Sequence, residues 1–185
     1  MRLLLAGLAI SSLAWAADDP KLKGFHDGVN AYHKILQEAS KKVPALPKEA
    51  KPEEIEKHEK ALVAAIRAAR PNAKQGDIFT PEAQTVFSAI LKRNLSGAGN
   101  KDSRAAIKEG NPKHEKEPGE AEPVIQVNAV YPKSAALSTV PAGLLQQLPQ
   151  LPMALEYRFV GRTLILWDNE SNLIIDYMKE AAPAL

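Results

Sequence analysis

The sequence predicts an α+β fold, with helices in its first half and an antiparallel sheet in its second. Three observations carry that reading. Between residues 20 and 95 the apolar residues recur three and four apart, which keeps one stripe on one face of a helix. Beyond residue 124 the period drops to two, as in strands. Between them lies a stretch rich in Gly, Pro, Lys and Glu and nearly free of large apolar side chains. A run of helices followed by a run of strands argues for segregated layers, not alternating βαβ units. The expected organisation is a signal peptide over 1–16, a helical region over 17–96 forming a three-helix antiparallel bundle, a polar linker over 97–123, and a small α+β module over 124–185, whose antiparallel sheet carries one short helix and is covered on one face.

MRLLLAGLAISSLAWA opens the chain with one positive charge, an uncharged apolar run from Leu3 to Leu13, and Ala14-Trp15-Ala16 as a small-x-small cleavage site. The run is shorter than the roughly 20 apolar residues that span a bilayer. Export with cleavage before Ala17 is therefore expected, giving a periplasmic or secreted chain without a membrane span. Mass spectrometry of the exported protein should find Ala17 at the N-terminus; an intact Met1 would contradict this.

The first helix is expected over residues 20–43, on the stripe Leu22, Phe25, Val29, Tyr32, Leu36, Ala39 and Val43. Gly24 and Gly28 each cost about 1 kcal/mol relative to alanine in a helix interior, so fraying is expected there. The stripe resembles a coiled-coil seam, but the glycines weigh against a freestanding coil and favour a monomer over a homodimer. A second helix follows Pro52 and ends at Arg70-Pro71, with Ile55, Leu62, Ile66 and Ala69 inward and His58 on the same side. Thr80-Pro81-Glu82 opens a third: a hydroxyl cap, proline at the first helical position, then an acid. Phe79 before the cap can clasp Ala83 or Phe87 as a hydrophobic staple. From Ser96 to Pro123 the chain buries too little apolar surface to offset its ordering entropy, one helical turn at 103–109 excepted.

In the module, VIQVNAVY (124–131) alternates as a strand and 141–145 reads as a short helix. EYRFVGRTLILWD (156–168) reads as a hairpin about Gly161-Arg162, glycine first as a type II′ turn requires. That register pairs Val160 with Thr163, Phe159 with Leu164, Arg158 with Ile165, Tyr157 with Leu166 and Glu156 with Trp167. Tyr157, Phe159, Leu164 and Leu166 then share a face that must be buried. Glu156, Arg158 and Trp167 share the other, as a candidate surface platform for a sugar or peptide or as a plain cross-strand cation–π pair. A last strand, NLIIDYM, sets Leu173, Ile175 and Tyr177 on one side.

The remaining chemistry is sparse. Lys and Arg number 24 against 22 Asp and Glu, so no strong field steers the chain to nucleic acid. With no cysteine there is neither a disulfide nor a thiol nucleophile. His26 and His33, seven apart on the first helix, are the candidate metal ligands if a third comes from elsewhere. His58-Glu59 lacks the second histidine of a zinc-peptidase helix, because residue 62 is leucine. DNESN (168–172) begins like a calcium loop but lacks its sixth-position glycine and twelfth-position glutamate, and reads as an interstrand turn. There is no phosphate-cradling glycine loop and no GxSxG elbow.

Two segments, HEKALVAAIRAARPNAKQGDIFTPE and LEYRFVGRTLILWDNESNLIIDY, resemble parts of uncharacterised short exported bacterial proteins, and the likeness extends over most of the mature chain. It implies export but no particular activity. The final hairpin and strand are also similar to the ending of small periplasmic proteins of nickel and cobalt homeostasis. This chain lacks a histidine-rich segment, so that likeness implies no metal site. The leading expectation is a non-catalytic protein that binds another protein or an envelope component, with no cofactor. The alternatives are a periplasmic metal-binding protein and an enzyme whose carboxylate pair is assembled only by the fold.

Overall fold

The computed structural model describes residues 19–111 and 123–183. The expected signal peptide and residues 112–122 of the expected linker lie outside the described residues. The fold is α+β: helices α1 (Lys23–Lys42), α2 (Pro52–Ala69), α3 (Pro81–Leu95), α4 (Lys101–Glu109) and α5 (Ala142–Leu145), with an antiparallel sheet in the order β1 (Ser138–Thr139), β2 (Leu155–Val160), β3 (Thr163–Asp168), β4 (Leu173–Met178). No helix among the described residues is long and apolar enough to cross a membrane.

A single 3-10 turn, Pro20–Leu22, leads into α1, and the Asp19 carboxylate accepts the Lys21 N–H at 2.9 Å. The stripe Phe25, Val29, Tyr32, Leu36 and Ala39 is buried. Gly24 and Gly28 do not fray the helix, contrary to expectation. They let the connection before α3 cross α1 closely: a Cβ at Gly28 would stand 3.1 Å from the Ile78 side chain and 3.3 Å from the Asp77 carbonyl oxygen, and one at Gly24 3.1 Å from Thr80. Gly28→Ala, which gains about 1 kcal/mol in a free helix, is therefore expected to lower the urea midpoint, because overpacking at a backbone contact costs about 1–3 kcal/mol.

The buried stripe of α2 differs from expectation. Leu62, Val63 and Ile66 are buried, whereas Ile55 is 37% exposed and Ala69 is exposed. Residues 51–57 are all exposed, so the first turns of α2 run out ahead of the core and their periodicity has nothing to pack on. At α3 the Thr80 hydroxyl accepts the Ala83 N–H at 3.3 Å, and the Phe79 and Phe87 rings meet edge to face at 5.1 Å, the expected cap and staple. Phe25 lies 5.1 Å from Phe87 and 6.4 Å from Tyr157 on β2, so helices and sheet share one core.

Within the stretch read as linker, α4 is a full nine-residue helix. Its Ile107 is completely buried, and its Arg104 donates to the carbonyls of Leu95 and Gly97. The Ser138 hydroxyl, from β1, donates to the Ile107 carbonyl. One buried apolar residue and three side-chain hydrogen bonds dock that helix, a placement that compositional reasoning averages away.

The hairpin forms in the expected register, all five expected pairs included, with Gly161 at φ +57°. Residues 124–131 do not form the expected strand. Asn128, at φ +63°, puts a turn in the middle, and a single bridge, Val130 to Leu173, remains. The segment still lies along the outer edge of β4: Asn128 N–H donates to the Ile174 carbonyl at 2.8 Å, and Tyr131 N–H to that of Asn172 at 2.8 Å. Residues 125–137 then fold over the sheet's second face. Tyr131 and Ala135 close a smaller core with Ile165, Ile174 and Tyr177. The sheet is thus covered on both faces, not one.

A β-bulge between Leu166 and Trp167 corrects the alternation expected for β4. Trp167 pairs with Ile174 and Leu166 with Asp176, leaving Ile175 as the extra residue. Leu173 and Ile175 face the helices while Tyr177 joins Ile174 on the other side. The bulge turns Asp176 inward.

Candidate functional site

The three platform residues fall together as the hairpin register requires. The Arg158 guanidinium lies over the Trp167 ring, 5.7 Å from its centre, and its Nη2 pairs with the Glu156 carboxylate. The other Glu156 oxygen accepts from Asn169 Nδ2 at 2.9 Å, and the Trp167 indole N–H donates to Asn172 Oδ1 at 3.0 Å. All three residues are partly buried. The platform is therefore a ridge whose polar groups are internally bonded except for the Arg158 Nε, which is buried without a partner, and one side of the indole is already occupied by a cation.

Clefts flank that ridge. One, of about 700 Å³, lies beside β2 and is lined by Glu156 and Arg158 together with α5 and the segment after it. On the other side two neighbouring clefts, of about 610 and 330 Å³, share Glu59, Tyr131, Pro132, Lys133 and Asn172. Trp167 and Asn169 line the smaller of these, and α2 walls the larger with Lys60 and Arg67. The Lys133–Glu59 ion pair, at 2.6 Å, ties residue 133 of the covering segment to α2 where the two clefts meet. Sequence reasoning missed this wall, because Lys133 and Glu59 are 74 positions apart and neither belongs to a motif.

Beneath the ridge the inner face holds two fully buried carboxylates, Asp168 and Asp176. Asp168 accepts from the Tyr32 hydroxyl at 2.5 Å, the Ser171 hydroxyl at 2.6 Å, and the Glu170 and Ser171 N–H groups at 2.9 and 3.3 Å. Asp176 accepts four backbone N–H groups: Gly76 at 2.9 Å and Ile78, Phe79 and Tyr177 at 2.8 Å. A carboxylate offers about four lone-pair sites, and each of these has four donors on it. Neither has a lone pair left to abstract a proton, attack a carbonyl or hold a metal ion. Their work is structural: Asp168 closes the turn of residues 169–172 under α1, and Asp176 clamps the connection into α3. Both signals were present in the sequence, Asp176 as an acid amid an apolar strand, Asp168 as the head of DNESN.

Arg70 lies between these anchors. Its guanidinium stands 5.1 Å from the centre of the Tyr32 ring and donates to the Ile175 carbonyl at 3.3 Å. Burial lowers its pKa, opposed by Tyr32, Asp176 and Asp77. Burial, then the Asp168 charge, raises the Tyr32 hydroxyl well above its ordinary value near 10, and burial alone does the same for Tyr157. A raised folded-state value means the unfolded chain ionises first. The stability these hydroxyls contribute is complete below about pH 10 and lost progressively above it. The urea midpoint should fall above that pH, and less steeply in Tyr32→Phe.

His26 and His33 lie on α1 as expected, two turns and about 10 Å apart along the axis. His33 Nε2 meets Gln37 Nε2 at 3.0 Å, while His26 Nε2 and His33 Nδ1 are buried. Among the described residues, no three of His, Asp and Glu are grouped to hold one ion. No family model matches the chain, and neither the curated proteins nor the solved structures contain a significant match to it.

Proposed function

We propose that this chain works in the periplasm or outside the cell by binding, without catalysis, and that the Trp167 ridge with its flanking clefts is the binding face. The observation that carries the reading is the contrast between its two polar regions. The buried carboxylates are saturated and serve the fold. The surface clefts are of ligand size, within the roughly 300–1,000 Å³ usual for binding sites, and are lined by an aromatic ring, carboxamides and paired charges.

Export supports a simple test. Of the two tryptophans, Trp15 belongs to the expected signal peptide, so the mature chain carries Trp167 as its only one. Emission from Trp167 therefore reports on the proposed face alone. Titration of the chain from Ala17 onward with peptides, oligosaccharides and divalent cations should give a saturable change with one of these classes, and the ligand should be recovered unaltered. Saturation with none of them, or chemical conversion of the one that binds, would overturn the reading.

A further inference from the structure

We infer that the paired clefts on either side of the Lys133–Glu59 ion pair bind an uncharged oligosaccharide, an inference that rests on the binding reading above. The charges of the cleft wall come first. Lys133 pairs with Glu59 at 2.6 Å, Lys60 with Glu56 at 2.5 Å, and Arg67 directs Nε and Nη2 onto the Asn128 carbonyl at 3.0 and 2.8 Å. Two of these three cations are matched by an anion and Arg67 is bonded to a neutral carbonyl, so the wall carries a single uncompensated positive charge, too little to steer a polyanion or polycation. A cationic ligand would have to break these pairs to gain its own, and an anionic one would find only Arg67 outside an ion pair.

A neutral ligand rich in hydroxyls need break none of them. Each sugar hydroxyl both donates and accepts, so it can insert beside groups already paired, using the remaining lone pairs of a carboxylate or amide oxygen and the remaining protons of an ammonium. Glu59, Asn169 and Asn172 supply such oxygens along the two clefts, and Lys133 supplies the protons. These groups are held in place beforehand: Asn172 Nδ2 donates to the Tyr131 carbonyl at 2.6 Å and its Oδ1 accepts from Trp167, while Asn169 is fixed by Glu156. Fixed polar groups cost little further ordering on binding. Trp167 also lines the smaller cleft, where the indole surface left uncovered by Arg158 offers apolar contact to the C–H groups of a pyranose.

A peptide is the weaker fit. Extended peptides gain affinity by main-chain pairing along an open strand edge. The edge of β4 beside these clefts is occupied by residues 128–131 through backbone hydrogen bonds. The two clefts adjoin, which suits a chain of several sugar rings better than a single one.

Trp167 emission of the chain from Ala17 onward, titrated with β-1,4-linked N-acetylglucosamine, β-1,4-linked glucose and α-1,4-linked glucose tetramers, tests the inference. At least one neutral tetramer should give a saturable change, weakened about fivefold or more by Lys133→Ala and by Asn169→Ala. Both positions are exposed, and circular dichroism should show either variant folded. No response to any neutral tetramer up to about 10 mM overturns the inference, as does a response that neither variant weakens, or one confined to a galacturonate tetramer. Saturation by peptides alone also overturns it, while leaving the broader binding reading standing.

Discussion

Asp176→Ala is expected to remove most of the stability of this protein, about 4 kcal/mol or more by urea unfolding. Four backbone N–H groups end on this one buried carboxylate, three of them from the connection that leads into α3. A backbone N–H cannot rotate away as a hydroxyl can, so truncation leaves donors buried without acceptors, at about 1–3 kcal/mol each before relaxation. The connection also packs against α1 through Gly28, which limits how far it can move to find water. Asp176→Asn separates charge from shape: it retains one acceptor oxygen but, in either orientation of the amide, sets an NH2 group against two of the four backbone N–H groups. It should lie between wild type and alanine. An alanine variant within about 1 kcal/mol of wild type would show that the clamp contributes little.

Phe25→Ala is the other large effect, expected at about 3–5 kcal/mol, the usual cost of emptying a fully buried phenylalanine site. Phe25 has no exposed surface and touches the rings of Phe79, Phe87 and Tyr157, so it joins α1, the α3 staple and the inner face of β2 at one point. Three rigid elements cannot all collapse into the space left. Because the stripe of α1 is buried within its own chain, the loss should not depend on protein concentration. A thermal midpoint that falls across a roughly hundredfold dilution would instead make association part of folding.

The two effects mark different degrees of legibility. Phe25 sits in a run spaced by threes and fours, and such a run needs only the geometry of a helix to be placed on a buried face. Thr80 before Pro81, and Gly161 at the tip of the hairpin, are likewise local: cap and turn are fixed by neighbours one to four residues away. The hairpin register followed from the turn alone, and the union of Glu156, Arg158 and Trp167 on one face followed from the register.

Asp176 is a different case. Its inward direction depends on a bulge that no local pattern announces, and its partners lie about 100 residues earlier in the chain. Lys133 and Glu59 meet because residues 125–137 fold over the sheet, while alternation there suggested another strand until Asn128 took a left-handed conformation. Gly28 looked like a helix breaker because propensity counts only the helix, and the crossing of Ile78 is visible only in three dimensions. By itself, then, the sequence determined the three long helices, the hairpin and the apolar stripe of α1, since their causes act over a few residues, but not the full length of α4 or the buried face of α2. Only the tertiary structure decided which carboxylates are saturated anchors and which side chains wall the clefts. Those outcomes depend on long-range closure, where a one-residue bulge or a single turn redirects every group beyond it.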